Sequence, residues 1–96
     1  MKPIIFSSHA RLQMLLRGAN EGEVMEAIQR NQWQPAKGGR FQTKQRFAFN
    51  KPSPFTGISY HFKEVEAIFV EESDTIVVVT VKVYYSNQEG NYESLL

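Results

Sequence analysis

The chain has 96 residues, of which 42% are hydrophobic, with seven Phe, four Tyr, one Trp and no Cys, and its formal net charge is +1 at pH 7. That length closes one core and not two, that apolar content excludes intrinsic disorder, and the missing cysteines exclude a disulfide framework or a thiolate zinc site. The charge is nevertheless uneven: residues 1–48 carry eight Lys or Arg against three Glu (+5), and residues 49–96 carry three Lys against seven acids (−4), so a basic face can exist on a nearly neutral protein.

The opening "MKPIIFSS" has a three-residue apolar run, too short for the core of a signal peptide, and no stretch approaches membrane-spanning length. The expectation is a cytoplasmic protein with no membrane partner. Phe6-Ser7-Ser8 reads as an apolar staple followed by a helix cap, so a first helix is predicted from about Ser8 to Arg17, closed by Gly18 in the left-handed conformation. Asn20 caps a second helix, with Glu23 in the capping-box position and Val24, Ala27 and Ile28 as its apolar stripe.

Beyond Asn31 the period changes to two. Trp33 to Pro35 is a short extended piece and "KGGR" a turn. "FQTKQRFAF" then sets Phe41, Thr43, Gln45, Phe47 and Phe49 on one face of a strand and Gln42, Lys44, Arg46 and Ala48 on the other. "NKPSPFTG" is a loop, because Pro52 and Pro54 lack ladder donors. "ISYHFK" alternates as a second strand, and "VEAIFVEESDTIVVVTVKVYY" reads as a hairpin of a third and fourth around "EESD". The run Ile76–Val83 suits the middle of a sheet. Residues 86–96 are expected to form a polar flexible tail. The chain is thus predicted to be one α+β domain, a two-helix hairpin on one face of an antiparallel sheet of about four strands, with no crossover helix to support parallel pairing.

The chemistry concentrates on the first helix. At roughly 100° per residue, His9, Gln13 and Arg17 form one row, with Leu12, Leu15 and Leu16 on one side and Ala10 and Met14 on the other. The row is narrow, contains no acid and is flanked by apolar residues, unlike an ordinary solvated face. Two readings fit it. His9 and Arg17 can be polar trim, the cation suiting the helix C-terminus, or the row can line a groove in which an imidazole exchanges protons and a guanidinium grips a phosphate.

"FSSHARLQMLLRGANEGEVMEAI" is similar to the opening of a family of small bacterial domains of unknown function with the approximate pattern H-A-x-x-R-M-x-x-R-G-I, followed by strands ending in a "VVTV" run. His9, Ala10, Met14, Arg17, Gly18 and Val24 match, as does "IVVVTVKVYY". The chain differs at Gln13, where the pattern has arginine, and at Leu16, where an acid is usual. That family resembles the RelE-like assemblage of barnase, colicin and RelE-type ribonuclease toxins. The resemblance implies two helices on a four-stranded antiparallel sheet and metal-independent RNA cleavage or RNA binding. It implies His9 as acid/base, Arg17, Lys44 and Arg46 as phosphate-binding cations, Gln13 as a hydrogen-bonding contact, and Thr80 or Tyr84 as polar helpers.

His61 is a further acid/base candidate, although a strand histidine commonly faces solvent. Two histidines without suitably spaced carboxylates give no metal site, and no glycine loop binds a cofactor phosphate. The partners expected are RNA and a cognate antitoxin or other protein. A non-catalytic interaction module, which could also self-associate through a strand edge or the helical hairpin, is the competing reading.

Overall fold

The Ser7 hydroxyl accepts the Ala10 amide, starting helix α1 (Ser8–Arg17), and Gly18 at φ 87° closes it with its N–H on Met14 O. Asn20 then opens α2 (Glu21–Arg30) with a complete capping box: its side chain accepts from Glu23 N, and the Glu23 carboxylate accepts from Asn20 N. A Cβ on Gly18 would lie 2.6 Å from Tyr85 Oη and 2.8 Å from Pro54 Cγ. This position therefore needs glycine for space as well as for its backbone conformation.

The chain is described here from a computed structural model covering residues 1–88 and 91–94. It is an α+β domain with strands β1 (Ile4–Phe6), β2 (Gln34–Ala36), β3 (Arg40–Pro52), β4 (Ser59–Glu71), β5 (Ile76–Gln88) and β6 (Asn91–Ser94). The sheet order is β1-β5-β4-β3-β2, with β6 pairing the C-terminal part of β5. No helix among the described residues is long and apolar enough to cross a membrane.

Three sequence expectations are corrected. The sheet is mixed, because β1 lies parallel to β5 with Ile5 opposite Val77. A parallel partner needs a long crossover connection, and here both helices and the whole meander supply it. The expected second and third strands are one, β4, because nothing between Lys63 and Glu66 breaks an extended chain. The stretch read as a tail contains the end of β5 and the strand β6. Residues 89–90 and 95–96 of that stretch lie outside the described residues.

Both helices lie on one face of the sheet, α1 over β5 and α2 over β3 and β4. Ala10 and Met14 of α1 and Val24 and Ile28 of α2 meet Val65, Ala67, Phe69, Val78, Val81, Val83 and Tyr85 in the core. Burial of each large side chain contributes roughly 1.5–3 kcal/mol. Trp33 closes one end, its ring 4.9 Å from that of Phe69 and its indole N–H on Ile28 O. At the other end Tyr85 packs between Phe49 and Tyr60 and donates its hydroxyl hydrogen to Arg17 O at 2.5 Å. Lys63, 5% exposed, donates to Gly18 O and to the Glu23 carboxylate at 2.7 and 2.8 Å. The carbonyls that α1 leaves open at its C-terminus thus receive side-chain donors from the sheet.

Candidate functional site

The polar row of α1 faces the outer edge of β5. β1 pairs Ile76–Val78 and β6 joins near Tyr84, and between them, at Thr80 and Val81, the edge has no strand neighbour among the described residues. There α1 takes the place of a strand. Ser7 N donates to Val78 O at 2.9 Å, Gln13 Oε1 accepts the Val81 amide at 2.8 Å, and Arg17 Nη1 donates to Val81 O at 2.7 Å. Unpaired backbone groups at a partly buried edge are costly and invite wrong pairing, so a buried Gln and an Arg suited to this register explain a narrow polar stripe between apolar flanks. Arg17 Nε is buried with no hydrogen-bond partner among the described residues. His9, one turn ahead on the same row, is exposed.

Leu12, Leu15 and Leu16, which flank this row, do not enter the core. They are 54%, 77% and 51% exposed, because α1 turns its Ala10 and Met14 side inward. The sequence makes both flanks equally apolar, and only docking against β5 decides between them.

Lys44, Arg46, Thr80 and Tyr84 lie on the opposite face of the sheet, which no helix among the described residues covers. Antiparallel register aligns Lys44 with Glu66 and Glu66 with Lys82, and in the next row Arg46 with Glu64 and Glu64 with Tyr84. Thr80 stands opposite Ile68. The Glu66 carboxylate is nearly buried among its neighbours. Tyr84 Oη donates to it at 3.2 Å, and Lys44 Nζ lies 3.9 Å away while sitting 5.9 Å from the Tyr84 ring centre. Burial, then the charge and hydrogen bond of Glu66, hold the Tyr84 phenol above its ordinary pKa, with Arg17 opposing, so Tyr84 stays a hydrogen-bond donor at neutral pH. Lys44 and Lys82 remain exposed.

The predicted residues therefore fall into two groups. Lys44, Arg46, Thr80 and Tyr84 come together on the open face, with the Arg17 charge at its rim. Gln13 is committed to Val81, and His9 is not gathered with the others. Glu64, Glu66 and Lys82 belong to the same face and are absent from the sequence reading. Their signal is the matched spacing of Lys44/Arg46 and Glu64/Glu66, two residues apart on both strands, which the break expected inside β4 conceals.

His61 occupies a separate place near the outer end of the sheet, with Asn50 and Asn87 beside it. Comparison with protein-family models, curated proteins and solved structures finds no match to this chain.

Proposed function

We propose that this chain is a RelE-like α+β domain that binds RNA through the uncovered face of its sheet. The observation that carries the reading is the gathering of Lys44, Arg46 and Lys82 with Thr80 and Tyr84 across three adjacent strands on that face. Exposed cations on a flat surface bind a phosphate backbone without sequence preference, and a phenol supplies a hydrogen bond and a ring for stacking. Glu64 and Glu66 lie between the cations on the middle strand, with Lys44 Nζ 3.9 Å from Glu66. The RelE-like likeness rests on the helical motif and on two helices sharing one sheet face, and the cleavage it implies has less support than binding. Arg17 already spends one Nη1 hydrogen on Val81 O, and Gln13 is committed to the Val81 amide, so two of the three residues in the helical row serve the sheet edge.

Fluorescence anisotropy with a labelled single-stranded RNA tests the reading. Binding is expected to weaken with salt at a log–log slope of about −2, as three phosphate contacts require. The double substitution Lys44→Glu/Arg46→Glu is expected to lower affinity by at least about tenfold. Absence of binding at low salt, or equal binding by the double variant, overturns it.

A second reading, a protein-interaction module, is favoured by one observation: the outward leucines of α1 at Leu12, Leu15 and Leu16. Apolar residues three and four apart on one helix form a stripe that a partner helix can cover. The change Leu12→Glu/Leu15→Glu would then abolish a stoichiometric complex while leaving RNA affinity unaltered.

A further inference from the structure

Charge alternates in sign across the uncovered face. Lys82 of β5 stands opposite Glu66 of β4, and Glu66 opposite Lys44 of β3; in the next row Glu64 of β4 stands opposite Arg46 of β3. The sheet then stops short. β2 pairs β3 only from Arg40 to Gln42, so the outer edge of β3 beyond Gln42 has no strand neighbour among the described residues. Pro35 stands opposite Phe41 and has no N–H to exchange with it, so the bonds between β2 and β3 run through Gln34–Gln42 and Ala36–Arg40. Backbone direction alternates along a strand, and Lys44, Arg46 and Ala48 therefore turn their N–H and C=O groups outward, away from β4. Arg46 O meets the Gln45 side-chain amide at 3.3 Å, longer than a usual N–H···O bond. Where β2 ends and this edge begins there is a notch of about 440 Å³, lined by Asn31, Gln32, Gln34, Gln42, Thr43 and Lys44. Thr43 is 3% exposed, and its hydroxyl oxygen is buried with no hydrogen-bond partner among the described residues.

Cations along an edge guard it against self-pairing. Two β3 edges brought together would set Lys44 and Arg46 of one copy among those of the other, and like charges across a pair of strands are destabilising. The same cations admit a strand of opposite sign. An added strand places one residue directly opposite Lys44 and another, two positions along, directly opposite Arg46, both on the uncovered face. Carboxylates at those two places continue the alternation of β5, β4 and β3 by one more strand. This chain cannot supply them: Glu64–Val65–Glu66 already lies on the inner side of Lys44 and Arg46, and Glu21–Gly22–Glu23 opens α2. We propose that the β3 edge from Lys44 to Ala48 takes up an extended segment of a partner protein, with acidic residues two apart opposite Lys44 and Arg46 and its end in the notch. The residue opposite Phe47 is apolar, because Phe47 packs against the core on the helix side. The edge is about as long as an ordinary strand. Outward backbone groups supply the affinity, and the alternating side chains supply the choice of partner.

Nuclear magnetic resonance titration of the labelled protein with the end-capped peptide Val-Thr-Val-Glu-Thr-Glu tests the added strand. Two peptides of the same length are the controls: Val-Thr-Val-Lys-Thr-Lys reverses the charge, and Glu-Val-Thr-Glu-Val-Thr keeps the composition but sets its acids on opposite faces of a strand. The first peptide is expected to slow hydrogen exchange at the Lys44, Arg46 and Ala48 amides, and to shift the signals from Lys44 to Ala48 several-fold more than either control at equal concentration. Lys44→Gln/Arg46→Gln is expected to remove its advantage over the reversed-charge peptide. The proposal does not rest on the RNA reading. Phosphates on the open face touch side chains and leave exchange of the outward β3 amides unchanged, so the two readings fail separately. Equal responses to the three peptides, shifts without slowed exchange at those amides, or a preference that survives the double substitution overturn the added strand.

Discussion

The cations on the two sides of the sheet have opposite fates. On the helix side, Arg17 and Lys63 are spent on backbone carbonyls and on Glu23. On the uncovered side, Lys44 and Lys82 stand in solvent, with Lys44 only loosely paired to Glu66 at 3.9 Å. In the sequence both groups are basic residues beside apolar ones. The difference teaches that a narrow polar stripe on a helix has two explanations, a site or a sheet edge, and that the count of open backbone groups opposite the stripe decides between them.

Stability measurements can break this contrast. The largest effect is expected from Lys63→Ala, which leaves the Glu23 carboxylate and Gly18 O without their buried donor. Chemical denaturation should show a loss of roughly 3–5 kcal/mol. Gln13→Ala leaves the Val81 amide unpaired at the sheet edge, at a cost of roughly 1–3 kcal/mol by the same measurement. By contrast, Lys44→Ala on the open face is expected to change stability by less than about 1 kcal/mol, because an exposed pair contributes little. A Lys44→Ala penalty equal to that of Lys63→Ala would erase the distinction.

Alkaline pH sharpens it from another side. Burial first, and the Glu23 charge second, push the Tyr85 phenol up to about 12 from 10.0. The folded state holds this proton more tightly than the unfolded chain. Its contribution to stability is complete below pH 10 and is lost as pH rises from 10 towards 12. A Tyr85→Phe variant should show a weaker fall in stability across that window, measured by denaturation at a series of pH values.

Much of the fold is legible in the sequence where the rule is local. The Ser7 cap, the Asn20–Glu23 box, Gly18 and the alternation of Phe41 to Phe49 each rest on neighbours within four residues, and the structure has them in those roles. The features that escape are pairings at long range. Ile4–Phe6 is too short to announce itself as a strand, and only β5, some seventy residues on, makes it one. The unbroken β4 is hidden because Lys63 and Glu66 look like a polar interruption, yet each is buried by partners from other elements: Glu23 for Lys63, and Lys44 and Tyr84 for Glu66. The same limit applies to the site. Helical arithmetic aligns His9, Gln13 and Arg17, but it cannot tell that the backbone of Val81 waits opposite two of them.

The measurement that tests the account most directly is RNA affinity and thermal stability taken together on two variants, His9→Ala and Lys44→Glu/Arg46→Glu. His9→Ala is expected to change neither quantity appreciably, while the double variant loses RNA binding with only a modest loss of stability from the new Glu–Glu neighbours across β3 and β4. Loss of RNA binding or cleavage in His9→Ala, with the double variant binding as the unaltered protein does, would contradict the account and return the site to the helix.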